Sequence, residues 1–247
     1  MIKDIEYFLK KIFVSEKFLL RKRLERAISK NYEKELNVVD HFEDKNKESV
    51  DVGVYRGVYT YKLAEKFKHV HSFEPNPLLY PYLKKNLKQI IPNITLYNYA
   101  LSNKNEETDL KVPYRGKSLF KNNIEEIYQL GCATIHKNNE FKNYDNYKVN
   151  CKKLDDILGD KEISFIKIDV EGHELNVIEG AKNIIKNNKP TLLVEIEEKH
   201  TKKPIVDTIK KIIELGYKVN RLEDNKIKEI NINEFLPNER NFIFTNN

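Results

Sequence analysis

The chain has 247 residues, of which 40% are hydrophobic and 33% are charged, and its formal net charge is +6. This length and composition predict a soluble globular protein with one large core, and no apolar run is long enough to span a bilayer. Two cysteines, Cys132 and Cys151, exclude a disulfide framework and a cysteine-based metal site. The N-terminus lacks the layout of a secretory signal, so we expect a cytoplasmic protein.

The first thirty residues hold most of the positive charge, with nine Lys or Arg residues against four acidic ones. Because the rest of the chain is almost neutral, we expect no nucleic-acid partner. Helical spacing predicts helices over 4–13 and 16–30, and Ser15 is the expected cap of the second. The apolar stripe of Leu20, Leu24, Ala27 and Ile28 is expected to pack on the main domain or on a second subunit in a homodimer. Contact of this basic segment with an anionic membrane surface is the alternative.

A further helix is predicted from about residue 31 to 42, followed by the polar run "EDKNKE", so we place a helical arm at 1–42 and the main domain at 43–247. The domain alternates apolar strands with helices. The predicted strands are "SVDVG", "HVHSFEP", "ITLYNYALS", "ISFIKIDVEG", "PTLLVEIE", "YKVNRL" and "NFIFTN". Segment 103–150 is rich in Asn, Lys and Tyr and is predicted to be an excursion of hairpins and loops. Apolar strands that alternate with helices predict a mostly parallel sheet covered on both faces, with its ligand at the carboxyl ends of the strands.

The loop "SVDVGVYRGVYT" places Asp51, Gly53 and Gly57 after the first of these strands. It lacks the Gly-Lys-Ser/Thr ending of a Walker A loop, and Tyr55 stands where a dinucleotide loop needs its second glycine. An acid and two glycines suit S-adenosylmethionine (SAM), because the acid attracts the amino group and the glycines let the backbone approach the methionine part. Glu74 closes the second strand and is expected to accept hydrogen bonds from the ribose hydroxyls. A turn without a ligand, a nucleotide-binding dehydrogenase and a non-catalytic scaffold are the alternatives.

Six segments together resemble one known family, the FkbM family of SAM-dependent methyltransferases. They are "VDVGVYRGVYT", "HSFEPNP", "NYALSN", "KKLDDIL", "FIKIDVEGHELNVIEGA" and "PTLLVEIEE", over roughly residues 48–200, and "NFIFTN" matches the family's last strand. The resemblance implies an α/β, Rossmann-like class I methyltransferase fold with a seven-stranded, mostly parallel sheet and helices on both faces. It also implies O-methylation of a sugar or polyketide hydroxyl, with S-adenosylhomocysteine (SAH) as the product.

The resemblance also implies which residues bind the cofactor. The expected set is Asp51, Gly53, Tyr55, Gly57, Glu74, Pro75, Asn76, Ala100, Leu101 and Asp169. The family usually has Ala-Asn after the first glycine, whereas this chain has Val54 and Tyr55, so the contact of that Asn is not carried over. Tyr55 is expected either to reach the substrate or to pack.

The segment "IDVEGHE" places Asp169, Glu171 and His173 just beyond the fourth predicted strand. Methyl transfer is an in-line displacement, in which the enzyme aligns the acceptor hydroxyl and removes its proton. We expect Asp169 to face the methyl group, because a carboxylate that closes an apolar strand is costly unless it is used. Glu171 or His173 is the expected base. A divalent cation held by Asp169, Glu171 and Glu195 is the alternative, and we predict no metal.

The excursion and the loop after Glu195 are expected to contact the acceptor. The predicted substrate-binding residues are Tyr55, Arg115, His136, Glu195 and His200, with Tyr114, Lys117 and Thr134 as further candidates. The sequence therefore predicts a SAM-dependent O-methyltransferase that acts on a hydroxyl of a saccharide or glycan precursor. A non-sugar acceptor, such as a polyketide-like or lipid hydroxyl, and a non-catalytic cofactor-binding scaffold are the alternatives.

Overall fold

The computed structural model describes residues 15–30, 33–115, 124–137, 141–232, 234–236 and 239–246. The helix predicted over 4–13 and the candidate Lys117 lie outside these residues. Within these ranges, no helix combines the length and the apolar character that a bilayer crossing requires.

Eleven strands are present in the described ranges. They are β1 (Asp44–Val52), β2 (Phe67–Phe73), β3 (Ile94–Tyr97), β4 (Ala100–Leu101), β5 (Glu106–Pro113), β6 (Tyr144–Lys152), β7 (Ile163–Ile168), β8 (Thr191–Glu195), β9 (Lys218–Glu223), β10 (Lys226–Glu229) and β11 (Asn241–Thr245). Eight of them form one sheet in the order β10-β9-β11-β8-β7-β1-β2-β3, and three form a second sheet in the order β4-β6-β5. In the large sheet, the five strands from β8 to β3 are parallel, and β11 runs antiparallel to β8 and to β9.

The large sheet corrects two details of the sequence prediction. It has eight strands instead of seven, because Asp224 and Asn225 take left-handed φ values of 48° and 58° and turn the chain back into β10. This edge strand is polar and mostly exposed, so it has no apolar pattern. The predicted strand "ITLYNYALS" is two strands in different sheets, because the chain bends at Asn98, whose side chain donates to the carbonyl oxygens of Glu74 and Pro75.

Ten helices in the described ranges cover the sheets. They are α1 (Glu16–Ser29), α2 (Val38–His41), α3 (Val58–Ala64), α4 (Tyr80–Asn86), α5 (Ile124–Ile127), α6 (Leu154–Leu158), α7 (Glu174–Gly180), α8 (Lys182–Asn188), α9 (Glu198–Thr201) and α10 (Ile205–Ile213), with 3-10 turns at Lys34–Asn37 and Leu130–Cys132. The core lies on both faces of the large sheet. Along β7, Phe165 belongs to one apolar cluster, whereas Ile166 and Ile168 belong to the other. This alternation buries the strand completely and explains its near-continuous apolar sequence.

Helix α1 begins as predicted, with the Ser15 hydroxyl accepting a hydrogen bond from the backbone nitrogen of Phe18 at 3.3 Å. Leu20 and Leu24 of the predicted stripe are buried in the cluster that also contains Leu63 of α3 and Leu83 of α4. Packing therefore fixes the rotation of α1 about its axis and decides which of its side chains face the carboxyl edge of the sheet.

Candidate active site

A cavity of about 660 Å³, its open mouth included, lies at the carboxyl ends of β1, β2 and β7. Seven predicted cofactor residues line this cavity: Gly53, Tyr55, Glu74, Pro75, Ala100, Leu101 and Asp169. The remaining three, Asp51, Gly57 and Asn76, are buried and do not line it. The structure thus brings most of the predicted set to one surface and places the rest in the layer that supports it.

Gly53 is required by the close approach of two loops. Its φ is +87°, and a Cβ atom there would lie 2.0 Å from the carbonyl oxygen of Asp169. The Gly53 nitrogen donates to the Phe73 carbonyl at 3.0 Å, and the Asp169 nitrogen donates to the Val52 carbonyl at 3.1 Å. The ends of the three central strands are therefore tied together at this glycine.

Glu74 is 5% exposed, and both of its carboxylate oxygens are held by loop amides. Oε1 accepts from the Asn76 nitrogen and Oε2 from the Tyr55 nitrogen, each at 2.9 Å. Burial raises the pKa of Glu74 to about 7, although these two hydrogen bonds oppose the shift. Asn76 and the backbone of Tyr55 thus position Glu74, which faces the cavity.

Tyr55 takes a left-handed φ of 48°, which is uncommon for a bulky residue. Its ring packs against Gly131, where an added Cβ atom would lie 3.2 Å from the ring. The Arg56 guanidinium lies 5.0 Å from the centroid of the same ring. Tyr55 is 37% exposed and forms the wall between the cavity and the groove beside it.

Asp51 is fully buried and accepts a hydrogen bond from the Thr60 hydroxyl. Below the cavity, Lys167 joins the loops: its Nζ lies 3.1 Å from the Gly53 carbonyl oxygen, 3.3 Å from Asp169 Oδ2 and 3.8 Å from Asp51 Oδ1. Burial lowers the pKa of Lys167, but the two carboxylates outweigh it and the pKa lies above its ordinary value. Burial raises the pKa of Asp51 against the opposing effects of Lys167 and Thr60. Asp51 therefore supports the glycine loop from below.

Sequence reasoning did not select Lys167, although a lysine inside the apolar run "FIKID" is itself the signal of a buried cation. Gly57, in contrast, has a structural position: it precedes α3 at φ +78° and packs on Leu87.

Asp169 lies beside Glu195, which closes the next strand, and both line the polar cleft described below. Burial and the nearby Asp169 carboxylate raise the pKa of Glu195 to about 9, so Glu195 retains its proton at neutral pH. Lys167 and protonated Glu195 thus hold Asp169 from two directions. Among the residues that the structure describes, no group of three or more His, Cys, Asp or Glu side chains is arranged to hold a metal ion.

The other predicted catalytic residues, Glu171 and His173, also line the cavity. The Glu171 carboxylate contacts Nε2 of His200. His173 Nε2 lies 2.9 Å from the Ser102 hydroxyl, and burial together with His136 lowers the pKa of His173 to about 4. His173 is therefore neutral at physiological pH.

The predicted substrate residues do not form one surface. Glu195 lines the polar cleft described below, and His136 stacks edge-on against His173 with ring centroids 6.4 Å apart. His200 is buried, and its side chain contacts the carboxylate of Glu171. Arg115 is exposed and does not line this cavity. Glu174, at the start of α7, accepts from the Gly172 nitrogen at 2.8 Å and so has the structural role of closing this loop.

Segment 103–150 supplies the cover of the cavity. Its β5–β6 hairpin and the turn Leu130–Cys132 provide wall residues that sequence reasoning did not name: Leu110, Leu130, Gly131, Ala133 and Ile135. With Tyr99, Ala100 and Leu101 they make one end of the cavity apolar. No periodic signal marks these residues, because they meet only through the packing of the second sheet against the first.

Two further depressions meet the cavity at Asp169. The polar cleft is lined by Glu33, Glu35, Tyr59, Lys167, Asp169, Glu195, Arg221, Glu239, Arg240 and Asn241, with apolar residues at its base. The arginine groove is lined by Arg23, Arg26, Arg56, Glu33, Gly53, Tyr55, Tyr59, Lys167 and Asp169, with Leu24, Ala27, Val54 and Val58. Asp169 is therefore accessible from three sides.

The order of the large sheet, with its antiparallel strand β11 and the cavity over the glycine loop, defines a class I methyltransferase fold. The model of the methyltransferase FkbM domain matches residues 51–219, and this chain belongs to that family. A methyltransferase FkbM from Methylobacillus flagellatus has the same fold at 18% identity and a TM-score of 0.51. The match covers 81% of this chain but 44% of that protein, so the chain spans less than half of its length.

Other solved structures are more distant. An rRNA methylase from Streptococcus thermophilus and a Streptococcus mutans protein in complex with SAH each show 13% identity and a TM-score of 0.47, covering 85% of this chain and 92% of theirs. No curated protein sequence matches this chain.

Proposed function

We propose that this protein is a SAM-dependent O-methyltransferase that acts on a hydroxyl of a saccharide or glycan precursor. The observation that carries the proposal is the position of Asp169. Its carboxylate lies where the cavity over the glycine loop meets the polar cleft, at the border between a cofactor-sized cavity and a hydrophilic one.

The cavity fits SAM. The Gly53 backbone lines the end of the cavity that suits the methionine part, the buried carboxylate of Glu74 suits two ribose hydroxyls, and the apolar end around Leu101 and Leu110 suits adenine. When bound, SAM supplies an electrophilic methyl group on a sulfonium. A pyrophosphate fits less well, because Tyr55 occupies the place where a dinucleotide loop has glycine. This argues against a dehydrogenase.

Asp169 is the group that receives the acceptor hydroxyl. It accepts a hydrogen bond from that hydroxyl, orients its oxygen toward the cavity and takes its proton. Lys167 and Glu195 fix the carboxylate, so little reorganisation is needed. Glu171 and His173 are second choices as bases, because Glu171 is engaged by His200 and His173 Nε2 lies 2.9 Å from the Ser102 hydroxyl.

The polar cleft favours a saccharide over a polyketide-like or lipid hydroxyl. Its wall carries carboxylates, two arginines, the Tyr59 ring and the Asn241 amide, all of which form hydrogen bonds or stacking contacts with sugars. An apolar acceptor would remove these polar groups from water without offering them hydrogen bonds, which is costly.

The test is an acceptor screen with labelled SAM over sugars, nucleotide sugars and glycans, run beside a calorimetric SAH titration. For the acceptor found, Asp169→Asn should reduce transfer by about 100-fold or more, while SAH affinity changes little. Asp109→Asn, at an exposed carboxylate on β5, is the matched control and should leave both unchanged.

Unchanged transfer in Asp169→Asn would refute the role of Asp169. The absence of SAH binding would refute the enzyme itself. Binding of SAH without transfer to any acceptor would favour the scaffold alternative.

A further inference from the structure

Positively charged side chains predominate in the arginine groove, whereas acidic side chains predominate in the polar cleft. Arg23, Arg26 and Arg56 all line it, and all three are exposed. Its acids are Glu33 and Asp169, and Asp169 is already engaged by Lys167. Arg23 and Arg26 alone therefore outnumber the one carboxylate of this groove that Lys167 does not engage.

Arg23 and Arg26 of α1 have no acidic partner among the described residues. Their neighbours differ in this respect, since Arg21 and Lys22 lie 3.7 Å and 3.0 Å from Glu25 carboxylate oxygens. Arg23 and Arg26 stand three positions apart, so they share a helix face. That face is open to an anion.

The fold holds this face in place. Leu24 lies between Arg23 and Arg26 in the sequence. It is fully buried and anchors α1 against the core. On the opposite wall, Arg56 lies over the Tyr55 ring, which in turn packs on Gly131. The cations thus project from two anchored elements.

We propose that the arginine groove binds the phosphate or diphosphate group of a phosphorylated acceptor. Arginine pairs with phosphate oxygens through two parallel hydrogen bonds, which makes it the residue best suited to this group. The groove shares Gly53, Tyr55 and Asp169 with the cofactor cavity. An anion held by Arg23 and Arg26 would therefore leave the sugar hydroxyl of the same molecule within reach of Asp169. This inference rests on the proposed function and narrows its substrate class.

A membrane surface is the competing anionic partner, since Phe18 and Leu19 of α1 are exposed. The geometry favours the soluble acceptor. Arg23 and Arg26 line a concave groove that Asp169 also lines, whereas a flat bilayer would contact a convex surface.

The test titrates inorganic pyrophosphate into the SAH-saturated protein at fixed ionic strength, using calorimetry. The variant R23Q/R26Q removes the two groove cations. R21Q/K22Q removes the same charge from the same helix outside the groove. R23Q/R26Q should bind pyrophosphate about tenfold more weakly or worse, while R21Q/K22Q stays within about twofold of the unsubstituted protein.

Equal weakening in both variants would show a general charge effect and overturn the inference, as would a lack of pyrophosphate binding by the unsubstituted protein. Co-sedimentation with phosphatidylcholine vesicles containing phosphatidic acid is the second arm. Vesicle binding that depends on Arg23 and Arg26, without pyrophosphate binding, would assign the arginines to a membrane instead. SAH titration of every variant separates the two proposals, because intact SAH binding without pyrophosphate binding defeats only this one.

Discussion

The buried carboxyl of Glu74 makes stability depend on pH, and Glu74→Gln tests this. The pKa of Glu74 rises from 4.5 in the unfolded chain to about 7 in the fold, because burial disfavours the carboxylate. Below pH 4.5 both states hold the proton. Between 4.5 and 7 the unfolded state releases it first, so stability falls as pH rises, and the loss is complete above about pH 7.

The size of this loss follows from the shift. A difference of two and a half pKa units corresponds to about 3.4 kcal/mol of unfolding free energy. The glutamine of the Glu74→Gln variant cannot ionise, so the variant should not lose this stability as pH rises. The unfolding free energy of the variant minus that of the unsubstituted protein should therefore increase by about 3 kcal/mol between pH 4.5 and pH 8. The glutamine keeps one acceptor oxygen, so one of the two loop hydrogen bonds is lost at every pH, which costs about 1 kcal/mol.

Urea unfolding at a series of pH values measures the difference directly. Glu107→Gln, at an exposed position of β5, is the control and should leave the pH dependence as it is. Calorimetric SAH titration adds a second readout. Because ribose hydroxyls donate to the ionised form, SAH affinity should increase as pH rises through about 7 in the unsubstituted protein and stay flat in the variant. Parallel stability profiles for the variant and the unsubstituted protein would refute the reasoning.

Two further predictions concern the layer around Gly53. Gly53→Ala should abolish SAH binding and lower the melting temperature, because its Cβ would lie 2.0 Å from the Asp169 carbonyl oxygen at a φ that alanine disfavours. Lys167→Met should cost about 3–5 kcal/mol in urea unfolding, because it leaves the carboxylates of Asp51 and Asp169 together without their cation.

Each of these has a matched control. Gly216 has a similar φ of +90°, but the nearest atom to an added Cβ lies at 3.9 Å, so Gly216→Ala isolates backbone strain and should keep SAH binding. Lys148→Met removes a cation from an exposed pair with Asp109 and should cost under about 1 kcal/mol. If Gly53→Ala bound SAH as well as Gly216→Ala, the close approach at Gly53 would not matter for the site. If Lys167→Met unfolded like Lys148→Met, the buried cation would carry no stability.

The strand ends of the parallel sheet were the most predictable part of the site. Apolar runs that stop at Gly53, Glu74 and Asp169 mark the carboxyl edge, and parallel strands bring such ends together. Which residues of these motifs face the cavity was not predictable from the sequence. Asp51 belongs to the same motif, yet it lies below the cavity while its neighbour Val52 lines it, because successive residues of a strand face opposite sides.

The segment between β4 and β6 shows that contacts between distant parts of the chain could not be predicted either. Its hairpin nature follows from its polar, irregular composition, but the contact of Gly131 with Tyr55 does not. Such a contact depends on how the second sheet packs against the first, over many residues of sequence separation. The break of β3 from β4 at Asn98 is of the same kind, since it depends on carbonyl oxygens from another loop.

The sequence by itself determined the alternation of strands and helices, the glycine loop and the family, because these depend on local periodicity and on short motifs. Only the tertiary structure decided that Lys167 joins Asp51 to Asp169, that Glu195 lies beside Asp169 and that Arg23 and Arg26 of α1 face the same edge. These pairs come from separate elements, and their distances are set by the packing of both sheet faces. The chemistry of the site therefore lies in contacts that no single stretch of sequence contains.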